Sequence, residues 1–130
     1  MLGHTFTVFK SINNIFYLIY SKNNKSIVSY DIIYDKKINE IKKAHQKYIT
    51  TLRFFLDDIN NRDLLLSISC NDNNIKIWNV NNFECLVDIK KVNESGFLDS
   101  ACILKDNNQN YIVTSHKSDN NMVKTVSIKI

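Results

Sequence analysis

No proline occurs in this chain of 130 residues, and glycine occurs only at Gly3 and Gly96. Its turns therefore need another residue. Asparagine, which is abundant here, is the candidate, because it tolerates a left-handed backbone and hydrogen-bonds its own turn. Two isolated glycines cannot cradle a phosphate, and they supply neither a G-x-S-x-G nucleophile elbow nor an oxyanion hole. Cysteine is also sparse. Cys70, Cys85 and Cys102 are an odd, widely spaced set without a C-x-x-C pair, which excludes a zinc ribbon or a thioredoxin-like redox motif. Lone thiols in apolar runs fit the core of an intracellular protein, cytoplasmic or nuclear. His4, His45 and His116 share no ligand spacing with them, so neither a metal nor a cofactor is expected. The longest apolar run, Ile15 to Tyr20, is far too short to cross a bilayer. The beginning of the chain lacks the pattern of a signal peptide. The net charge of +4 is mild, and no block of five or six like charges exists.

What remains is a chain of 44% hydrophobic and 23% charged residues, the composition of a folded protein. Its apolar segments are short and rich in β-branched and aromatic residues. FTVF (6–9), SIVSYDII (26–33), LLLSIS (64–69), IKIWNV (75–80) and YIVTS (111–115) are typical, with Asn, Asp, Lys and Ser between them. No stretch of twelve residues carries a 3.6 period, and residues 35–47 are too polar and brief to favour a helix. Short strands at roughly ten-residue spacing predict an all-β fold: a sandwich, a barrel or a propeller.

Internal repetition selects among these. Slid by 48 residues, LLSISCNDNNIKIWNV (65–80) falls on YLIYSKNNKSIVSYDI (17–32). Ser69 then meets Ser21, Ile75 meets Ile27 and Trp78 meets Tyr30. Slid by 47 the other way, it falls on IVTSHKSDNNMVKTVS (112–127), where Asp72 meets Asp119 and Ile75 meets Met122. Gly3-His4 precedes TFTVF, and Ala44-His45 precedes QKYITTLRF. Each unit resembles a WD repeat: Gly-His near the start, later an Asp, then apolar-x-apolar and Trp-Asp. The middle unit has His45, Asp72, Ile75, Ile77 and Trp78-Asn79. The first has Gly3-His4, Asn24 and Tyr30-Asp31. The third has Ser115 and Asp119 but neither His nor Trp.

The resemblance implies antiparallel four-stranded blades of a β-propeller, two complete and a third partial. Blade one covers about 4–46, blade two about 47–92 and blade three about 93–130. The expected strands are 5–10, 14–21, 26–32 and 38–43, then 48–56, 64–70, 74–80 and 85–91, then 97–104, 110–117 and 121–130. In a four-stranded meander the second turn lies at the same end as the loop leading into the first strand. His45 and Asp72 therefore share one end of blade two. The family's structural network joins His, Ser or Thr, Asp and Trp, which implies His45, Asp72 and Trp78 here. Ungapped counting puts Ile68 and Cys70 at the hydroxyl positions, with Ser67 and Ser69 each one residue off. Either a bulge restores Ser69 or Ser67 to the network, or the network lacks its hydroxyl; Ser69 is the member expected.

No catalytic residue is expected. Asp57-Asp58 reads as part of a solvated loop. The resemblance implies a non-catalytic scaffold or adaptor that binds protein partners, with Lys47, Tyr48 and Asn71 near the contact face. One alternative is a basic surface of Lys36, Lys37, Lys42, Lys43 and Lys47 for nucleic acid or an anionic membrane. Another is the regulatory part of a larger enzyme. Rings of this family usually close with about seven blades. The chain is thus expected to be a fragment of a longer propeller, to complete a ring with other chains, or to stand as an open array. An open set leaves exposed sheet faces and an unpaired edge that promote association.

Overall fold

The computed structural model describes residues 5–90, 97–117 and 123–128. Among these residues, eleven strands fall into three antiparallel sheets in chain order. Sheet 1 holds β1 (Phe6–Lys10), β2 (Phe16–Lys22), β3 (Ser26–Asp31) and β4 (Lys36–Ile41). Sheet 2 holds β5 (Thr51–Asp57), β6 (Arg62–Ser69), β7 (Asn74–Asn79) and β8 (Cys85–Ile89). Sheet 3 holds β9 (Phe97–Asp106), β10 (Gln109–Lys117) and β11 (Val123–Ile128). Within each sheet, neighbours in sequence are neighbours in space, so every connection is a hairpin. Gly3-His4, Asp119 and Met122 lie outside the described residues.

Asparagine makes the turns. Of ten non-glycine residues with positive φ among the described residues, seven are Asn: 14, 23, 24, 61, 73, 107 and 108. Asn107 and Asn108, at φ 47° and 60°, alone join β9 to β10, the two left-handed centres that a tight hairpin needs.

Sheet 2 is covered on both faces. One face shares a core with sheet 1 in which Phe9, Ile19 and Ile27 meet Leu52, Leu65 and Trp78. The other shares a core with sheet 3 in which Leu64, Leu66 and Ile77 meet Leu98, Ala101 and Ile112. Double coverage explains why LLLSIS is a continuous buried run rather than an alternating one. The outer strand β4, by contrast, reads KKINEI and has no fully buried residue. Its lysines suit an edge that must resist further pairing.

The repetition reaches the registers. The β3–β4 ladder slips between Ser29 and Tyr30, and the β7–β8 ladder slips between Ile77 and Trp78, which are matching positions. The residue after each aromatic makes the same local turn. Asp31 Oδ1 accepts from the N–H groups of Ile33 and Tyr34, and Asn79 Oδ1 accepts from Asn81 N–H. One difference breaks the symmetry. The β2–β3 turn has three residues between Lys22 and Ser26, whereas four separate Ser69 from Asn74 in the β6–β7 turn.

Candidate functional site

The extra turn residue decides which hydroxyl meets Trp78. Leu65 pairs with Trp78 across β6 and β7, and that ladder is regular from Leu64 to Ser69. Residues 65, 67 and 69 therefore share Trp78's face, and Ile68 and Cys70 do not. Ser67 Oγ accepts from Trp78 Nε1–H at 2.8 Å and shares a hydrogen bond with His45 Nε2 at 2.6 Å. All three side chains are buried. His45 sits in the β4–β5 loop, which makes three backbone-to-backbone bonds to its surroundings. His45 N–H donates to Lys25 O, Ile49 N–H to Asn24 O, and Thr50 N–H to Ile68 O. The loop thus touches both the sheet-1 turn and sheet 2.

Two expectations are corrected here. Ser69 is not the network hydroxyl: its Oγ is buried without a partner, and Ser67 takes the role with no bulge. The 48-residue alignment failed on that side because the longer turn makes the offset 47 for β6 and 48 for β7. Asp72 does not bond His45 either. It lies in a 3-10 turn, Cys70–Asp72, closed by left-handed Asn73, and its Oδ2 accepts from Lys47 N–H at 2.9 Å. It steadies the His45 loop two residues away from the imidazole.

His45 Nδ1 is consequently buried without a hydrogen-bond partner. Burial pushes the imidazole pKa down to about 4, and the charge of Lys76 acts in the same direction. The Asn74 side chain, Asp88 and Asp72 oppose this without prevailing. Neutral His45 belongs to the folded state. Above pH 6.5 the folded and unfolded chains are both neutral there, and the full contribution is present. Between about 6.5 and 4 only the unfolded chain takes up the proton, so stability falls with pH, by about 3 kcal/mol across that window. In an NMR titration the His45 imidazole should stay neutral at pH 5.5, where an ordinary histidine is protonated. A midpoint near 6.5 would refute the buried neutral state.

Ser67→Ala should cost about 2 kcal/mol, because it orphans both the indole N–H and Nε2. Ser69→Ala should change stability by less than about 0.5 kcal/mol, since its hydroxyl holds nothing. Urea melts of the two variants separate the roles, and equal losses would contradict the assignment.

Beside the network lies an open polar recess of about 320 Å³, lined by Gln46, Asp72, Asn74, Lys76, Asp88 and Lys90. Its charges are largely matched. Lys76 Nζ is 3.8 Å from Asp88, and the Asn74 amide donates to Asp88 Oδ1 and to Ile89 O. Lys47, Tyr48 and Asn71 are exposed at this same end. Lys36, Lys37, Lys42, Lys43 and Lys47 are exposed too. Lys37 pairs with Glu40, which Lys22 also approaches at 3.4 Å. Among the described residues no group of three His, Cys, Asp or Glu side chains could hold a metal ion, and no helix is long and apolar enough to cross a membrane. Ser67 is fully buried and bonded to the indole, so its hydroxyl cannot meet a substrate.

Two buried carboxylates escaped sequence reasoning. Asp63, on β6, accepts from Ile12 N–H of sheet 1 with both oxygens, at 3.2 and 3.0 Å. Burial raises its pKa, and the Ile12 N–H only partly offsets this. Asp57, read as solvated, is fully buried at the end of β5. It binds Arg62 Nε at 2.9 Å, both the backbone and the side chain of Asn60, and Asn110 Nδ2 of sheet 3. Burial pushes its pKa up, but these hydrogen bonds outweigh it and hold the carboxyl below the usual range. The available signal was the pairing of Asp57 with Arg62 across a short hairpin loop, and the 47-residue match of Asp63 to Asn110. Asp58, by contrast, is exposed and pairs with Lys105 at 2.8 Å.

The fold and this network define an all-β protein built from repeat-like antiparallel sheets. No protein-family model and no curated protein matches the chain.

Proposed function

We propose that the chain is a non-catalytic scaffold of the WD-repeat kind, its sheets being propeller blades, and that it works by holding a protein partner. The observation that carries this reading is the buried His45–Ser67–Trp78 chain, which links the loop before a sheet to its second and third strands. It resembles the His–hydroxyl–Trp connection of WD repeats, with Asp72 turned to the loop backbone instead. Its three members are enclosed and engaged with one another, which suits rigidity better than chemistry.

The contact face proposed is the end bearing Lys47, Tyr48 and Asn71. A photo-crosslinker placed at Tyr48 should capture a partner that one at Lys10 does not. With that partner purified, the triple variant Lys47→Glu, Tyr48→Ala, Asn71→Ala should weaken binding at least tenfold, about 1.4 kcal/mol. Unchanged affinity would overturn the face. Steeply salt-dependent binding to duplex nucleic acid or anionic vesicles, lost in Lys36→Glu/Lys42→Glu, would favour the basic surface instead.

A further inference from the structure

The three sheets stack by one repeated contact. In sheet 1 the row Phe9–Tyr17–Asp31 faces forward, toward sheet 2, and the row Val8–Leu18–Tyr30 faces backward. The registers match these rows to Phe55–Leu64–Asn79 and Phe54–Leu65–Trp78 in sheet 2. In sheet 3 they match Leu104–Tyr111 and Ile103–Ile112. At the first junction the forward Phe9 stacks on the backward Phe54, with ring centroids 3.8 Å apart and planes within 10°. At the second, forward Phe55 and Leu64 share a core with backward Ile103 and Ile112. A polar tie accompanies each junction at the same end: Ile12 N–H to Asp63, then Asn110 to Asp57.

Two halves of this contact are left over. Among the described residues no sheet packs on the backward row of sheet 1, and Phe6 (66%), Val8 (54%) and Phe16 (40%) are exposed there. Phe16 stands where Asp63 and Asn110 stand in the other sheets, so the buried polar group of those positions is replaced by an apolar one. On the forward row of sheet 3, Leu104 is 42% exposed and Tyr111 is half-buried. Continuation of the series Phe9/Phe54, Phe55/Ile103 sets Leu104 against Val8. Both halves of the contact are therefore present on the three described sheets, and two copies can supply them to each other.

We propose that these faces are the two sides of a head-to-tail self-interface, and that a second copy of this chain covers them. The contact is heterologous: sheet 3 of one copy docks on sheet 1 of the next. It closes into a ring if the rotation allows and runs on as a fibre if it does not.

The test uses the 130-residue chain, wild type and two surface variants, by size-exclusion chromatography with light scattering. Wild type should exceed the protomer mass. Val8→Asp spoils the head and Leu104→Asp the tail, so each alone should run at the protomer mass. An equimolar mixture retains one good head and one good tail, and should give a complex of twice that mass. A monomeric wild type would overturn the proposal. Leu104→Asp that still self-associates alone would overturn it in favour of head-to-head pairing. Both variants remaining large, or a mixture that stays at the protomer mass, would also overturn it. Far-UV circular dichroism verifies the fold. Phe6→Asp and Tyr111→Asp, in the same two rows, replace either variant that unfolds.

Discussion

Truncating Trp78 to alanine is expected to cost about 3–5 kcal/mol of folding stability. The indole lies in the core between sheets 1 and 2, beside residues from both, and little in that rigid junction can move to fill the space. The loss has two parts. One is apolar contact and the cavity left behind. The other is the Nε1–H bond to Ser67, whose removal also loosens His45. Trp78→Phe keeps most of the first and forfeits the second, so it should cost only about 1–2 kcal/mol. Trp78 is the chain's one tryptophan, so the melts are followed by circular dichroism rather than by its fluorescence. A loss below about 1 kcal/mol for the alanine variant would show that the junction does not depend on the indole.

Asp57→Ala should rank next, at about 3 kcal/mol. It removes the acceptor shared by Arg62, Asn60 and Asn110, and so loosens a hairpin and the junction of sheets 2 and 3 at once. Much of the cost is the guanidinium left half-buried without its counter-charge, with one nitrogen of Arg62 already lacking a partner. Asp57→Ala/Arg62→Met should therefore be less destabilised than the sum of its single variants. Strict additivity in a double-mutant cycle would mean that the two side chains act independently. Because the carboxyl is held below its usual range, its contribution is complete at neutral pH. It fades as acid protonates the folded form, which gives the wild type a steeper acid limb than Asp57→Ala.

The strands were legible because β-branched and aromatic runs, punctuated by asparagine, leave little choice about where a hairpin turns. All eleven expected segments overlap the observed strands, and the boundaries move by a few residues. The end of sheet 2 shared by His45 and Asp72 also followed from a meander alone. What sequence did not reveal was parity. A strand has a period of two, so one more residue in the β6–β7 turn exchanges the faces available to Ser67 and Ile68. Aligning repeats at a constant offset hides that exchange. Asp57 and Asp63 were illegible for another reason. A carboxylate near a turn looks solvated in sequence, and only the neighbouring sheet reveals that it is enclosed. The exposure of Val8 and Leu104 likewise needed the registers, which separate Val8 from Phe9 and Leu104 from Ile103.

The double coverage of sheet 2 has a consequence for how the molecule breathes. Amide protons exchange with solvent through local openings, and an opening is costly in proportion to the apolar surface it exposes. Lifting sheet 1 or sheet 3 away exposes one core, whereas opening sheet 2 exposes both. Deuterium should therefore enter β2, β3 and β10 before it enters β6 and β7. The slowest amides of the chain are to be sought between Leu64 and Ile77, where the two cores meet back to back.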